Sequence, residues 1–369
     1  MAKIVDVELI PIAIPQTYET HWANGQISVA KHTLIKVIAE DGTYGVGEAV
    51  PRTGIYGETQ ESILQVLREA IIPRILGIDS FNTELLWERM NETPFNFVAK
   101  GTVDVAVHDL NGKLLGVPTA YLLGGVYRER VPLCWVSGGS WFPHDFIIDE
   151  TKRIISEGYK GIKLKAGHFK EDVELAKEIR SFAPEDFEIY LDPNQLYTRE
   201  QLMYVGAHLS GVVNAIEEPV PAWNDVTRKE FTERYPLIPL LSDESTFSVP
   251  DTYRQMQLGA IKRLAIKIPR TGYTMSKKLV HLAECNHMQT QISTQAETDL
   301  GCAACLTFAV SSRQISLPCE IAYYKKGMYP KSLLVEPLKI EDGYMVFPNK
   351  PGIGVDVNWD VIEEYRVNK

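Results

Sequence analysis

The sequence predicts an α/β barrel that follows an α+β domain, and a regular spacing of short apolar runs leads to this fold class. From Val131 onward, apolar runs alternate with amphipathic stretches. Eight of these runs end 24 to 28 residues apart, near Ser137, Lys165, Asp192, Glu217, Asp243, Lys267, Ser293 and Glu320. Strand–helix alternation at this period indicates βα units in a parallel sheet, and eight units favour closure into a barrel. Because the units are not similar to one another in sequence, a solenoid is disfavoured.

The first part of the chain has the pattern of an α+β domain, in which strands precede helices. Alternating apolar residues predict three strands, at 3–14, 29–39 and 43–48. A hairpin turn at Asp41-Gly42 joins the last two strands. Helical periodicity then predicts three helices, at 58–77, 81–90 and 95–115.

Two connections in this domain are predicted to be loops, PQTYETHWANGQ at 15–26 and AVPRTGIYG at 49–57. Long polar connections between strands are often functional. At the other end of the chain, 333–347 resembles two strand pieces around a turn at Asp342-Gly343. We therefore predict three segments: a first domain at 1–125, a barrel at 126–330, and a segment at 331–369 that returns to the first domain.

Composition excludes several classes of partner. The chain has 369 residues, a net charge of −10 and five cysteines without the spacing of a disulfide framework. An acidic chain is not expected to bind nucleic acid or an anionic membrane. Its first residues lack the apolar core of a signal peptide, and no apolar run is long enough to span a bilayer. We therefore expect a cytoplasmic protein.

The ends of five successive apolar runs carry the candidate chemistry, in the order base, acid, acid, acid, base. The three acids are Asp192, Glu217 and Asp243. Neighbouring parallel strands lie ~5 Å apart, so three carboxylates at their ends would repel one another unless a cation neutralises them. Mg²⁺ prefers oxygen ligands of this kind, and Mn²⁺ is a possible substitute. These carboxylates are therefore predicted metal ligands.

Two lysines flank the acids, Lys165 on the strand before them and Lys267 on the strand after them. They are predicted to lie on opposite sides of whatever the metal holds. Lys163 shares a face with Lys165, because strand side chains alternate with period two. Two adjacent ammonium groups should lower each other's pKa toward the range of a general base, and desolvation should do the same for Lys267.

Such a site favours removal of a proton next to a carboxylate. A metal on the substrate carboxylate stabilises the resulting enolate, one lysine removes the proton, and the other returns one. Two lysines give racemisation or epimerisation, whereas one is enough for cycloisomerisation or elimination. A Schiff-base aldolase on a barrel also uses a strand-end lysine, but it does not need three clustered carboxylates. A non-catalytic barrel would have an incomplete set of charged residues.

These motifs resemble the enolase superfamily, and in particular its muconate lactonizing enzyme subgroup. The resemblance rests on GIKLKAG, YLDPNQ, AIEEPV, LSDES and AIKIPRTG, and on GTVDVAVHDLNGKLLGVPTAYLLGG at 101–125. It covers nearly the whole chain. It implies a modified TIM (β/α)7β barrel under an α+β capping domain built from the N-terminal region and the C-terminal tail. It also implies a Mg²⁺-stabilised enediolate intermediate and an even-numbered homo-oligomer.

The resemblance also implies roles for individual residues. Asp192, Glu217 and Asp243 would bind the metal, and Lys165 and Lys267 would be the acid/base pair. Lys163 would modulate Lys165 and touch the substrate carboxylate. Asn194 and Glu244 would support the site, with Glu244 pairing with Lys267 or its surroundings. The candidates for substrate contact are Tyr18, His21, Trp22, Arg52, Tyr56, Glu297 and Glu320.

The substrate stays open within small carboxylates. The family's seventh-strand Glu-x-x-x-Gly matches Glu297 and Gly301, but Thr298, Asp299 and Leu300 replace the usual small residues between them. The last strand end, PCEIAYYKKG, lacks the Asp-x-Asp of dipeptide epimerases, which counts against a dipeptide. N-acylated or N-alkylated amino acids, proline-type betaines and muconate-like dicarboxylates are the candidates. A one-base dehydratase or synthase is the alternative within the superfamily.

Overall fold

The computed structural model of the protein describes residues 2–22, 25–321 and 327–367, without the side chains of residues 18–22. Seven parallel strands form one curved sheet in sequential order. They are β5 (Cys134–Ser137), β6 (Gly161–Lys165), β7 (Glu188–Asp192), β8 (Ala215–Glu217), β9 (Leu240–Ser242), β10 (Arg263–Ile266) and β11 (Gln289–Ile292).

An eighth segment closes the ring without forming a regular strand. The backbone N–H of Cys134 on β5 donates to the carbonyl of Cys319 over 2.9 Å. The N–H of Glu320 donates to the carbonyl of Ile292 on β11, also over 2.9 Å. Residues 319–320 therefore bridge the two edges of the sheet, and the predicted (β/α)7β barrel is confirmed.

Seven main helices surround the barrel, and one follows each of its strands. They are α7 (His144–Ser156), α8 (Phe169–Phe182), α9 (Arg199–Leu209), α10 (Asp225–Arg234), α11 (Val249–Leu258), α12 (Ile268–Cys285) and α13 (Asp299–Ser311). Alternation along the strands sends apolar residues outward to these helices. On β6, for example, Ile162 and Leu164 join the large apolar core. The period of two therefore assigns the intervening Lys163 and Lys165 to the barrel interior.

The capping domain begins with the antiparallel strands β1 (Ile4–Trp22), β2 (Gly25–Ala39) and β3 (Tyr44–Ala49). Helix α5 (Phe97–Leu115) packs against β3 and also against α12 of the barrel. Glycines make this contact possible: a Cβ atom on Gly45 would lie 2.0 Å from the carbonyl oxygen of Ala106. Fifteen consecutive residues of α5 are buried, so α5 is the element shared by the two domains.

The region predicted as a loop at 15–26 is instead largely strand. Strands β1 and β2 continue to Trp22 and from Gly25, and they pair as far as Trp22 opposite Gly25. The pairing register shifts between Pro15 and Thr20. The prediction was wrong because the polar sequence of this part of the hairpin lacks the alternation that marks a half-buried strand.

The helix predicted at 58–77 is interrupted. The short α1 (Thr53–Tyr56) precedes α2 (Gln60–Val66), a π-helical turn (Leu67–Ile71) and α3 (Ile72–Ile75). Proline at position 73 lacks a backbone N–H and cannot donate the i→i−4 bond of a regular helix, and the π-helical turn directly precedes α3, which contains it. The remaining helices of this domain are α4 (Thr83–Asn91) and α6 (Thr119–Leu122).

The C-terminal segment contacts both domains. Strands β12 (Ile340–Glu341) and β13 (Tyr344–Val346) form a hairpin at the predicted turn, and β13 pairs with β4 (Arg130–Pro132). Helix α14 (Trp359–Tyr365) packs against β1, and the N–H of Val367 donates to the carbonyl of Pro11 over 2.9 Å. The predicted boundaries at residues 125 and 330 stay a prediction. Within the described ranges, no helix combines the length and the apolar character needed to cross a bilayer.

Candidate active site

The structure brings the five predicted strand-end residues together at one end of the barrel. Lys165 and Asp192 are register partners on β6 and β7, and Glu217 ends β8. Asp243 and Lys267 each come one residue after the end of a strand, β9 and β10 respectively. This end is formed by the carboxyl ends of the strands, where barrel enzymes place their active sites.

Lys163 bridges three carboxylates below the mouth of the barrel. Its Nζ atom lies 3.0 Å from Asp192 Oδ2, 2.8 Å from both carboxylate oxygens of Glu217 and 3.2 Å from Glu320 Oε2. Burial by itself would lower the pKa of Lys163, but the carboxylates of Asp192, Glu217 and Glu320 outweigh it and hold the pKa well above its usual value. The predicted lowering of this pKa was therefore wrong.

Lys165 lies nearer to solvent and has two partners on the β7 side. Its Nζ atom is 2.6 Å from Asp192 Oδ2 and 2.8 Å from Asn194 Oδ1. The Asn194 amide in turn lies 3.4 Å from Glu244 Oε1. Asn194 therefore links Lys165 to Glu244, and the supporting role predicted for it stays a prediction.

Lys267 is buried and paired with Asp243, over 2.6 Å from Nζ to Oδ2. Burial would lower the pKa of Lys267, but Asp243 outweighs it and raises this pKa. The predicted lowering of the Lys267 pKa by desolvation was therefore wrong. Glu244 contacts Asn194 instead of Lys267, and burial beside Asp243 raises the pKa of Glu244 to about 8. Arg270 is the second partner of Asp243, over 3.0 Å.

The two lysines stand on opposite sides of the ring. Counting β5 as the first of eight members and residues 319–320 as the last, Lys165 ends the second member and Lys267 follows the sixth. Four steps around a ring of eight are half a turn. The three carboxylates occupy the intervening members, β7 to β9. A substrate held over these carboxylates would have one lysine on each side.

The chemistry of the three carboxylates fits a hard divalent cation, although their oxygens are paired with ammonium groups. Glu217 is fully buried, and its pKa is raised well above the usual value by burial and by the charges of Asp192, Glu320 and Asp243 around it. Burial is the largest cause of this rise, and the charge of Lys163 offsets it only in part. In their present positions, no three described Asp, Glu, His or Cys side chains are arranged to hold a metal.

Comparisons with known proteins agree with this architecture. Residues 5–124 match the family profile described as mandelate racemase / muconate lactonizing enzyme, N-terminal domain. Residues 147–361 match the profile described as enolase C-terminal domain-like. The chain belongs to the mandelate racemase/muconate lactonizing enzyme family of the enolase superfamily. Membership of this family implies a divalent metal.

Individual relatives of the chain carry out different reactions. Muconate cycloisomerase 1 of Rhodococcus opacus is 28% identical, over 99% of each chain. The o-succinylbenzoate synthase of Bacillus subtilis is also 28% identical, over 91% of this chain and 89% of the relative. The solved structure of N-succinyl Arg/Lys racemase from Bacillus cereus has a TM-score of 0.91 at 25% identity and covers 99% of this chain and 98% of the racemase. Similarity therefore assigns the chain to the family, but it does not decide which of these reactions the chain catalyses.

A buried ion pair that sequence reasoning missed holds the turn after β9 in place. Glu218 forms an ion pair with Arg228, and its Oε2 accepts the N–H groups of Asp243 over 2.8 Å and Ser245 over 3.0 Å. This carboxylate therefore fixes the turn that carries Asp243. The doubled acid in AIEEPV was the available signal, and the second acid lies just after the end of β8 with a φ of 35°.

Helix α5 holds the segment that follows Lys267. The carboxylate of Asp104 accepts the N–H of Tyr273 over 2.6 Å and that of Thr274 over 3.0 Å. These bonds follow a break in α12 at Gly272, whose φ of 58° favours glycine. A Cβ atom on Gly101 of α5 would lie 2.7 Å from the backbone of Arg270, so the contact is close. The family's 101–125 stretch thus positions the start of α12.

The predicted substrate contacts fall into three groups. The side chains of Tyr18, His21 and Trp22 lie outside the part of the chain that the structure describes. The buried Arg52 donates to the carbonyl oxygen of Gln295, which follows β11. The ring of Tyr56 packs edge-on against Phe247, with centroids 5.2 Å apart, and its hydroxyl is buried without a hydrogen-bond partner.

Glu297 and Glu320 are both engaged with the protein. Glu297 accepts bonds from Thr294 over 2.6 Å and from the N–H of Gln295 over 2.8 Å, so it shapes its own loop. Glu320 pairs with Lys163 and also accepts from Ser293 over 3.0 Å. Both carboxylates are thus engaged in contacts within the protein that stabilise the site. Their contact with the substrate stays a prediction.

Proposed function

We propose that this protein is an isomerase that removes the α-proton of a small carboxylate substrate and returns a proton to the same molecule. Lys165 and Lys267 are the acid/base pair. The observation that carries the proposal is their placement half a turn apart around the ring, with three carboxylates between them. Two bases on opposite faces of one carbon are what racemisation or epimerisation requires.

Asp192, Glu217 and Asp243 would hold a divalent cation, Mg²⁺ or Mn²⁺. Such a cation stabilises the negative charge that develops on the substrate carboxylate when the α-proton leaves. Lys163 lies among the same carboxylates, with its Nζ 3.0 Å from Asp192 Oδ2, and contributes a second fixed positive charge. Its high pKa keeps it protonated, which suits an electrostatic role and not that of a base.

A one-base synthase or dehydratase is the second candidate, and the inequality of the two lysines favours it. Only 6% of the Lys267 side chain is exposed, whereas 19% of the Lys165 side chain is exposed. An elimination needs one lysine as base, and the other can serve as a fixed charge. A Schiff-base aldolase finds less support, because Lys267 is paired with a buried carboxylate. The homo-oligomer and the cytoplasmic location stay predictions.

Proton exchange in D₂O tests the proposal. The protein is incubated with a panel of chiral carboxylates, and deuterium at the α-carbon and loss of optical rotation are followed by NMR and polarimetry. We expect exchange with inversion for at least one acid. Release of water without inversion would indicate the synthase, and absence of exchange from every acid of the panel would contradict the proposal.

Metal removal is a separate prediction. Treatment with EDTA should reduce exchange at least about 100-fold, because the charge that develops on the substrate carboxylate loses its main counterion. Added Mg²⁺ or Mn²⁺ should restore it, and Ca²⁺, which prefers longer bonds and more ligands, should restore it less. Full activity in a preparation shown by elemental analysis to be free of metal would contradict the assignment of the three carboxylates.

A further inference from the structure

The loop that joins β11 to α13, residues 293–298, lies at the rim of the barrel mouth. It follows the carboxyl end of β11, and β11 is the direct neighbour of β10, which leads to Lys267. The loop carries Glu297, a candidate for substrate contact, and Gln295, whose buried side-chain amide has no hydrogen-bond partner among the described residues. Because βα loops form the substrate site of barrel enzymes, the shape of this loop affects what the mouth offers to a substrate.

Ala296, in the middle of this loop, has a strained backbone. Its φ of 61° lies in the left-handed region, where the Cβ atom comes too close to the following carbonyl oxygen. Asn and Asp adopt this conformation more readily because their short polar side chains bond locally, but alanine has no polar side chain. Such a conformation persists where surrounding contacts hold it. The contacts around Ala296 therefore determine whether the loop keeps this shape.

The loop itself supplies some of these contacts, through its N–H groups. The N–H of Gln295 donates to Glu297 over 2.8 Å, and that of Ala296 donates to the Thr294 hydroxyl over 2.7 Å. The Thr294 hydroxyl in turn donates to Glu297 over 2.6 Å. The carbonyl groups of Gln295 and Ala296 are bound instead by residues outside the loop.

The peptide groups before and after Ala296 are bound through their carbonyl oxygens. Arg52, on the loop after β3, donates to the carbonyl of Gln295. The hydroxyl of Tyr329 donates to the carbonyl of Ala296 over 2.6 Å. Tyr329 lies beyond the ring closure, and the carbonyl of the residue before it accepts the N–H of Thr17 on β1 over 3.0 Å. Both bonds to the strained part of the loop thus depend on the capping domain, one directly and one through β1.

Glu48, on β3 of the capping domain, binds the end of the loop where α13 begins. Its buried carboxylate accepts the Thr298 hydroxyl over 2.7 Å and the N–H of Gly301 over 2.8 Å. A Cβ atom on Gly301 would lie 2.7 Å from Glu48 Oε2, so the glycine of the Glu-x-x-x-Gly match permits this contact. Burial would raise the pKa of Glu48, but the contact with His32 over 2.7 Å and the bonds from Thr298 outweigh it and hold the pKa below its usual value. Glu48 is therefore an ionised acceptor.

We propose that the capping domain sets the working shape of the β11–α13 loop, with Glu48 and Tyr329 as positioning residues and Ala296 as the strained residue that they hold. This inference concerns how the mouth is formed, and only its kinetic consequence rests on the proposed function. Loss of either contact should let Ala296 relax to a negative φ and displace Gln295 and Glu297. Glycine at position 296 should keep the shape without the contact from Tyr329, because glycine adopts positive φ without strain.

Amide hydrogen exchange of the full-length protein tests the positioning without any substrate. Tyr329→Phe removes only the hydroxyl, and Glu48→Gln replaces the ionised acceptor by a neutral amide. In each variant, we expect the backbone amides of residues 296–301 to exchange at least about fivefold faster than in the natural protein, as the loss of one hydrogen bond predicts. The amides of β7 are the internal reference and should not change. Adding Ala296→Gly to Tyr329→Phe should restore the loop amides to within about twofold of the natural protein.

His287→Gly is the matched control for this restoration. His287 also has a positive φ, of 52°, but it is exposed and lies before β11, at the end of the strand opposite the loop. Glycine relieves a strained backbone at either position, so both substitutions act on overall stability in the same direction. Added to Tyr329→Phe, His287→Gly should leave the exchange of the loop amides fast. Equal restoration by both glycines would show that Tyr329 acts through overall stability, and would overturn the proposal.

Kinetics give a second readout, with an acid whose α-proton the protein exchanges. Tyr329→Phe should raise KM about fivefold and change kcat less than about twofold, because the displaced loop contributes to binding while both lysines stay in place. Adding Ala296→Gly should return KM to within about twofold of the natural value, and adding His287→Gly should not. A lowered kcat with an unchanged KM would contradict a role in positioning the loop.

The outcomes separate this inference from the proposed function. Unchanged exchange of the loop amides in Tyr329→Phe would overturn the inference, even if Glu48→Gln does not fold. Failure of Ala296→Gly to restore the loop amides would also overturn it, because the strain at this residue would then be irrelevant. Absence of α-proton exchange from every acid would remove the proposed function alone, since the amide measurements need no substrate.

Discussion

The two sides of the barrel mouth carry the same catalytic residue type in different surroundings. On the β6–β7 side, Lys165 is partly exposed and contacts Asp192 and Asn194. On the β10 side, Lys267 is buried against Asp243. The ring of Tyr56 from the capping domain lies close to Lys267, and Phe247, which follows β9, packs against that ring. The barrel by itself places the lysines symmetrically, and the capping domain makes them unequal.

The inequality originates in the contact between α5 and α12. Asp104 holds the segment just after Lys267, and the guanidinium of Arg270 lies 5.7 Å from the ring centre of Tyr56. On the other side, the supporting carboxylate is Asp172, which belongs to the barrel's own helix α8. One lysine is thus supported by two domains and the other by one. Because their supports differ, we expect that the two lysines can be perturbed separately.

The largest expected effect comes from removing either lysine. Lys165→Ala and Lys267→Ala should each lower the rate of racemisation at least about 10³-fold, because each base serves one face of the substrate. Each variant should still exchange the α-proton of one enantiomer, and the two should retain opposite enantiomers. Exchange in D₂O with separated enantiomers measures this, with the exposed Lys170→Ala as control.

Full racemisation by Lys267→Ala would contradict the assignment of one lysine to each face of the substrate, because Lys165 would then act on both faces. Loss of exchange with both enantiomers in Lys267→Ala, with exchange of one kept in Lys165→Ala, would favour the one-base synthase.

An intermediate effect is expected from the supporting carboxylates. Asp104→Asn weakens bonds to Trp87, Tyr273 and Thr274, and should destabilise the protein by roughly 2–3 kcal/mol. Exchange that depends on Lys267 should fall about tenfold, and exchange that depends on Lys165 should fall less. Asp172→Asn is its counterpart for the other side and should show the reverse order.

Urea unfolding gives the stabilities for this pair, and exchange with each enantiomer gives the activities. If both variants reduce exchange of both enantiomers equally, the two sides of the mouth are coupled and not separately supported.

The smallest expected effect is a pH dependence on the capped side. Glu58 accepts the N–H of Val98, at the start of α5, over 3.3 Å, and its other carboxylate oxygen has no partner. Burial raises the pKa of Glu58 to about 7. Because the folded state holds this proton more tightly than the unfolded state, the contribution of Glu58 to stability is fully present below about pH 4.5 and is lost as the pH rises through about 7.

Glu58→Gln removes this dependence. Relative to the variant, the natural protein should lose about 2.5 kcal/mol between pH 5 and pH 8, since each pKa unit corresponds to about 1.4 kcal/mol. Urea unfolding at several pH values measures the difference, with the exposed Glu61→Gln as control. A constant difference between Glu58→Gln and the natural protein across this range would show that Glu58 is ionised throughout.

Sequence reasoning was most successful where position along the chain implies position in space. The period of 24 to 28 residues predicted the barrel, and it identified Lys165, Asp192 and Glu217 because parallel strands end at one edge. It failed at 15–26, where a strand whose sequence does not alternate between apolar and polar residues resembles a loop. It also failed for the pKa of Lys163, which the charges of Asp192 and Glu217 raise together with that of Glu320, a residue far along the chain that ring closure brings into contact.

The fold class, the family and the charged residues at the strand ends could be predicted from local periodicity and from motifs. The pairing of those charges, the burial of Lys267 and the unpartnered amide of Gln295 become visible only in the folded chain. The physical reason is that pairing, burial and unsatisfied hydrogen bonds depend on contacts between distant segments. The contact of α5 with α12 and the bond from Arg52 to Gln295 are two of these.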